Sequence, residues 1–301
     1  MIERTELAAI FKRLQRASVE LRFERAAKKL PLGASKFGGW PSLPKGFEWP
    51  FYVAERPGAN AEPTRRPLTF LMQLNLEEVA PYDGEKRLPK SGWLYFFFER
   101  VDGYCNCVEP EGKGGARVFY FDGPLDATVE TAPPPEFDAL EEEDGEIWGP
   151  DDEAAITFEN GVSVPDFEEA EEYGGEFALE LDEADADAYR ELRGAFTGEG
   201  ANVGRRLFGF PDLIQTPMRV DCERLAAGIS WEEFCDSSAS ERAKIEENAK
   251  NWTLLCQLGT DDDGGVELYW GGDCGALYFY IREDDLRRGD FDRVWAFWQM
   301  G

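Results

Sequence analysis

Three groups of side chains in this 301-residue chain have types and spacing that could do chemistry. Asp261-Asp262-Asp263-Gly264-Gly265, with Glu267 and Asp273 nearby, offers the oxygen ligands that calcium or magnesium takes. The spacing does not match an EF-hand loop, because the glycine and the distal glutamate are displaced. An Asp- and Gly-rich hairpin turn would read the same way. Cys105-Asn106-Cys107 on a strand would put both sulfurs on one face, and Cys222 or Cys274 could complete a thiolate zinc site. Without a second paired-cysteine motif, small buried residues are the simpler reading. Gln73 and Gln257 sit inside apolar runs, where a buried amide must be hydrogen-bonded. With Trp40 and Phe210 they are the candidate residues for a small-ligand site. None of this requires a cofactor; calcium or magnesium at Asp261, Asp262 and Asp263 is the one ion the sequence invites.

Absences narrow the chemistry further. There is no histidine, which removes Ser-His-Asp and Cys-His nucleophilic sites, histidine general bases and histidine-containing metal sites. Gly271-Gly272-Asp273-Cys274-Gly275 is glycine-rich, but it leads into a strand and no Lys-Ser/Thr follows, so it is not a phosphate-cradling loop. Carboxylates are abundant enough for general acid–base work, yet no particular pair stands out. The expectation is a protein that is not an enzyme, with a carboxylate-based hydrolase as the third alternative.

Charge is distributed very unevenly. The formal net charge is −29, and 25 of the Asp and Glu residues fall between Val118 and Tyr189, where there is no Lys or Arg. A polyanionic surface repels nucleic acid and acidic lipid, because affinity for both comes from basic side chains. The partner expected is therefore a basic protein, not nucleic acid or membrane, with Glu141, Glu142, Glu143, Asp144, Asp151 and Asp152 as its contacts. Residues 136–175 are expected to be removable without loss of the fold. Apolar content of 43% supports a real core, the longest apolar run is too short to span a bilayer, and the charged N-terminus lacks the apolar stretch of a signal peptide. Six cysteines spread through the chain read as reduced thiols. The expected compartment is the cytoplasm.

The elements that must position these residues follow from periodicity. Leu7, Ile10, Phe11 and Leu14 are helically spaced after the N-cap candidate Thr5, which predicts an amphipathic, net basic helical segment over residues 5–30. Strands are predicted at about 68–74, 93–99 and 117–121, then at about 252–258, 266–270, 276–281 and 293–299. Asp182 and Asp185 can cap a helix to about Phe196, and Ser230/Glu233 and Ser238/Glu241 fit capping boxes. Three blocks recur in order: Phe37-Gly38-Gly39-Trp40-Pro41 with Phe208-Gly209-Phe210-Pro211, Leu71-Met72-Gln73-Leu74 with Leu255-Cys256-Gln257-Leu258, and Leu94-Tyr95-Phe96 with Leu277-Tyr278-Phe279. The order predicts an internal duplication. The fold class expected is β-rich α+β, with two pseudo-symmetric antiparallel-sheet halves and peripheral helices. The organisation expected is a helical segment 1–30, a first repeat 31–125, an acidic insertion and connecting helix 126–200, and a second repeat 201–301.

These blocks also carry a resemblance. Ser35-Lys36-Phe37-Gly38-Gly39-Trp40-Pro41, Gln73-Leu74-Asn75-Leu76, Gly92-x-Leu94-Tyr95-Phe96-Phe97 and Trp270-Gly271-Gly272-Asp273-x-Gly275-x-Leu277-Tyr278-Phe279, with Asp285-Leu286 and Asp290-Phe291 beyond, resemble the YwqG-like family of bacterial proteins over roughly residues 30–300. The resemblance implies a duplicated, β-rich α+β fold and supplies no catalytic residues. Genes of the family occur beside those of secreted toxins, so it also implies an immunity role. The acidic block and the basic N-terminal segment depart from the family pattern. The combined expectation is a non-enzymatic interaction module binding a basic partner, toxin immunity included; the alternative is a ligand- or metal-binding module with its site between the repeats.

Overall fold

The N-terminal segment divides where its periodicity changes. In the computed structural model, which describes residues 4–54, 64–99, 114–137, 152–172, 183–197, 203–260, 266, 268, 270 and 274–301, helix α1 (Arg4–Leu14) ends and strand β1 (Arg16–Arg25) begins almost at once. The helix expected over 5–30 is thus corrected from residue 16 onward. Val19, Leu21 and Phe23 are buried at every second position while Arg22 and Glu24 between and beyond them are exposed. That period of two gives a strand one apolar face, whereas a helix would scatter it.

In the first part of the chain follow β2 (Lys36–Gly38), β3 (Ser42–Pro44), β4 (Phe51–Ala54), β5 (Thr64–Pro67), β6 (Thr69–Asn75), α2 (Leu76–Val79), β7 (Trp93–Phe98), β8 (Ala116–Phe121) and β9 (Thr128–Glu130). Then come β10 (Glu153–Ser163), α3 (Phe167–Glu172), α4 (Glu183–Thr197), β11 (Arg205–Leu207), α5 (Arg219–Ala226), α6 (Trp231–Asp236), α7 (Ala239–Ala249), β12 (Trp252–Gly259), β13 (Gly275–Arg282), α8 (Glu283–Arg288) and β14 (Trp295–Met300). Both capping boxes form, Ser230 with Glu233 and Ser238 with Glu241. The strand expected at 266–270 falls partly outside the described residues.

Ten strands make one antiparallel sheet in the order β14-β13-β12-β11-β1-β10-β2-β6-β7-β8. β1 and β10 pair along their length at its centre, from Arg16 opposite Ser163 to Arg25 opposite Ala154. The chain order is crossed there: β1 precedes β2 yet pairs with β11, and β10 precedes β11 yet pairs with β2. Residues 153–163, inside the stretch read as an acidic insertion, are therefore a central strand. The expectation that 136–175 can be removed without loss of the fold is corrected for that reason.

β7, β12 and β13 are buried on both faces, so their sequences run apolar instead of alternating. On the inner face the sheet curls until its two wings touch. Phe96 of β7 and Phe279 of β13 have ring centroids 5.2 Å apart, although six strands separate them in the sheet order. Tyr120 of β8 meets Phe291, just before β14, at 6.1 Å. On the outer face, Trp252, Leu254, Tyr278 and Tyr280 pack under α5, and Tyr95 and Phe97 pack under the segment carrying Leu43, Phe47 and Trp49. α1 docks through Phe11 and Leu14 onto α3 and α4, where Phe11 meets Tyr189 and Phe196.

Candidate functional site

The two glutamines singled out by sequence play matching structural parts in separate places. Gln73 is fully buried; its Oε1 accepts from the Ser42 backbone N–H at 2.7 Å, and its Nε2 donates to the Ala34 carbonyl at 2.8 Å. Gln257 is also fully buried; its Oε1 accepts from the Asp212 N–H at 2.8 Å, and its Nε2 donates to the Gly204 carbonyl at 3.0 Å. Opposite each stands a tyrosine whose hydroxyl donates to the same loop: Tyr95 to the Ser42 carbonyl at 2.7 Å and Tyr278 to the Asp212 carbonyl at 2.6 Å. Each set satisfies a buried loop backbone. The two sets are not brought together into one pocket.

Trp40 is half-buried, and its carbonyl accepts from Lys36 Nζ at 2.6 Å. Phe210 is buried, donates its N–H to Ser163 Oγ at 2.7 Å and lies under the Arg16 guanidinium at 4.4 Å. Asp261, Asp262, Asp263, Glu141, Glu142, Glu143, Asp144 and Asp151 lie outside the described residues, as do Cys105 and Cys107. Asp152 is half-buried and pairs with Arg25 Nη2 at 2.5 Å. Among the described residues, no three Cys, Asp or Glu side chains are grouped so as to hold a metal ion.

The two wings do share a concave surface, and it is lined by residues the sequence reading did not single out. A groove of about 700 Å³ opens between the loop after α2 and helix α8, with Arg16 and Tyr120 on its walls. That volume lies within the range of small-molecule sites, roughly 300–1,000 Å³. The loop is fixed from within: Asp83 Oδ2 accepts from the Leu88 N–H at 2.8 Å, and the Lys86 N–H closes onto the Asp83 carbonyl at 3.0 Å. Across the groove α8 ends at Gly289, whose left-handed backbone lets the Gly289 and Asp290 N–H groups reach back to Leu286 and Asp285.

Aromatic side chains hold the groove's arginines. Arg87 stacks on Phe208 at 4.4 Å while its Nη2 donates to Glu283 Oε1 at 2.5 Å and Thr253 Oγ1 at 3.1 Å. Arg16 stacks on Phe210 at the same distance. Phe208-Gly209-Phe210, one of the repeated sequence blocks, is thus the backing of the groove. Phe208 adopts φ 62° and Lys86 φ 56°, and these are the two non-glycine residues with left-handed backbone among those described. Such conformations cost about 1–3 kcal/mol each and gather where function requires them. Tyr120 donates to the Ser91 carbonyl at 3.1 Å; burial, then the charge of Asp122, raises its pKa, so it presents a neutral phenol. The basic dipeptides Lys86-Arg87 and Arg287-Arg288 do not mark the groove in sequence, since Lys12-Arg13, Lys28-Lys29, Arg65-Arg66 and Arg205-Arg206 read the same way.

The model for a domain of unknown function (DUF1963) matches residues 35–300, and the chain belongs to that family. No curated protein matches it.

Proposed function

We propose that this member of the DUF1963 family is a non-catalytic binding module whose ligand occupies the groove between the two wings of the sheet. The observation that carries the reading is structural concentration. Among the described residues, one of the two left-handed non-glycine residues, Lys86, lines a concavity of ligand size with two ring-stacked arginines from distant parts of the chain, and the other, Phe208, is the ring on which Arg87 stacks. The matched glutamine and tyrosine bonds and the mirrored strand order support the internal duplication, and the quoted motifs support closer kinship with the YwqG-like members. A site between duplicated halves is the natural place for a ligand, but its residues are those of the groove, not Trp40, Gln73 and Gln257. The absence of histidine supports binding over catalysis.

A thermal-unfolding screen of metabolite-sized compounds tests this. A ligand at about a hundred times its Kd adds about 2.7 kcal/mol, a rise of roughly 4 °C in Tm for a chain of this length, and Arg87→Ala should lose that rise. If every stabilising compound protects Arg87→Ala as well as the wild type, the groove is not the site.

A second reading rests on charge segregation. The run of 25 acidic residues without Lys or Arg favours a basic protein partner at Glu141–Asp144, Asp151 and Asp152, with an immunity role as one instance. Deleting residues 138–151, which spares β10, should abolish salt-sensitive capture of the partner. Capture that survives the deletion removes this reading.

A further inference from the structure

We infer that the groove takes a small ligand carrying two or more negative charges on oxygen, in the form of a phosphoryl or polycarboxylate group. This rests on the groove being the ligand site and adds the chemistry of what it holds.

The lining carries Arg16, Lys86, Arg87, Arg287 and Arg288 against two carboxylates, Glu85 and Glu283. Local sign is thus the reverse of the chain's −29. The distant carboxylates do not cancel it, since exposed charges beyond about 8 Å are screened at physiological salt. Part of the cationic set is already committed: Arg287 pairs with Asp284 at 3.0 Å, and Arg288 pairs with Asp285. These two neutralise the acids of their own helix. Of the other three, Arg16 is stacked on Phe210, and Lys86 and Arg87 are the adjacent pair that a ligand can bridge. Lys86 is exposed and has no acidic partner among the described residues. Arg87 commits Nη2 to Glu283 and Thr253, which leaves Nε and Nη1 without a protein acceptor among the described residues. A guanidinium held against an aromatic ring presents such donors in fixed directions, so little freedom is lost when an anion arrives.

The ligand's valence follows from the competition with Glu283. A single carboxylate would only replace one anion beside Arg87 with another. A polyanion can engage Arg87 with one oxygen and Lys86 with a second, gaining charge-assisted bonds that Glu283 does not supply. Phosphoryl and polycarboxylate ligands share this chemistry.

Proton–nitrogen correlation spectra of the full chain decide the matter, titrated separately with pyrophosphate, citrate, glucose and spermidine. Saturable shifts of the Lys86, Arg87 and Gly289 amides are expected with pyrophosphate or citrate, and the one that saturates first identifies the class of anion. Lys86→Gly removes the cation while relieving the left-handed strain, so it should fold normally and bind about tenfold more weakly. Shifts of these amides with glucose or spermidine alone would overturn the polyanion while leaving the groove as a site. No saturable shift with any probe would overturn both. Unchanged affinity in Lys86→Gly would overturn the assignment of Lys86.

Discussion

Gln73 and Gln257 each tie a sheet strand to a loop by the same pair of bonds: side-chain oxygen to a loop N–H, at Ser42 and Asp212, and side-chain nitrogen to a loop carbonyl, at Ala34 and Gly204. Replacing either by leucine keeps the volume but leaves the loop N–H unpaired, and at position 73 the Ala34 carbonyl as well, whereas the Gly204 carbonyl keeps the Gly259 N–H at 3.1 Å. Each Gln→Leu variant should lose about 1–3 kcal/mol for every group stranded. Urea unfolding checks this as a lower midpoint with an unchanged slope. Tyr95→Phe and Tyr278→Phe, which remove one hydroxyl, should lose about 0.5–1.5 kcal/mol. If a Gln→Leu variant matches the wild type, its loop has found another partner and the tie is dispensable.

The buried pair Lys36–Glu153 should behave unlike the surface pairs. Lys36 Nζ meets Glu153 Oε1 and the Trp40 carbonyl at 2.6 Å each, and Glu153 Oε2 accepts from the Leu30 N–H at 2.8 Å. The two side chains are 4% and 2% exposed. Glu153→Gln keeps an acceptor but strands the ammonium, which should cost about 3–5 kcal/mol. Combining it with Lys36→Met removes the stranded charge, and the double variant should be more stable than Glu153→Gln alone. Breaking Arg22–Glu159, 46% and 59% exposed, should cost at most about 1 kcal/mol. A double-mutant cycle with no coupling between Lys36 and Glu153 would contradict this account.

The fold was legible in sequence wherever a signal was local. The inward-facing strands announced themselves as aromatic runs, the capping boxes as Ser-x-x-Glu, and the left-handed glycines at 38 and 39 by their dipeptide. Gln73 and Gln257 were legible as buried amides tied to loops, because an amide in an apolar strand has few other fates. β1 was lost because Val19, Leu21 and Phe23 follow a true helix without a breaker, and the alternation is carried by charged residues that suit either element. β10 was lost because its strand pattern is embedded in the acidic block and its partners β1 and β2 are more than a hundred residues away. The groove was illegible for the same reason. Arg87 reaches Phe208, Thr253 and Glu283 only after the wings curl together, and nothing in the spacing of those residues encodes the meeting.

Asp166 predicts how stability follows pH. It sits between Arg193, at 3.1 Å, and the Leu213 N–H, at 3.0 Å, yet burial outweighs both and raises its pKa above the ordinary 3.8. A carboxyl whose folded pKa is raised binds its proton more tightly when folded, so its contribution to stability falls as pH rises from 3.8 through the raised value. Asp166→Asn keeps an oxygen for Leu213 and has no charge to bury. Its stability should therefore change less over that window and equal or exceed the wild type's at pH 7. Urea midpoints measured from pH 4 to 7 provide the check; a variant much less stable at pH 7 would mean that Arg193 dominates instead.

The crossed strands predict that the two halves cannot be separated. Removing residues 1–25 would take β1 from the centre of the sheet and leave β10 and β11 each with an unpaired edge. Val19, Leu21 and Phe23 contribute about 1.5–3 kcal/mol apiece by burial, which in sum rivals the whole stability of an ordinary domain, about 5–15 kcal/mol. The chain 26–301 should thus be unfolded or aggregated by circular dichroism. Residues 31–125 alone should fare no better, because β2 would lose β10 and pair only with β6. Co-expressed 1–125 and 126–301 are a different case. Each supplies the strand the other side lacks, β1 to β11 and β10 to β2, so the two should assemble into one stable complex at equal stoichiometry. A cooperative unfolding of 26–301 at the wild-type midpoint would show that β1 is peripheral, against the sheet order; fragments that fold but do not associate would show that the crossing is not what joins the wings.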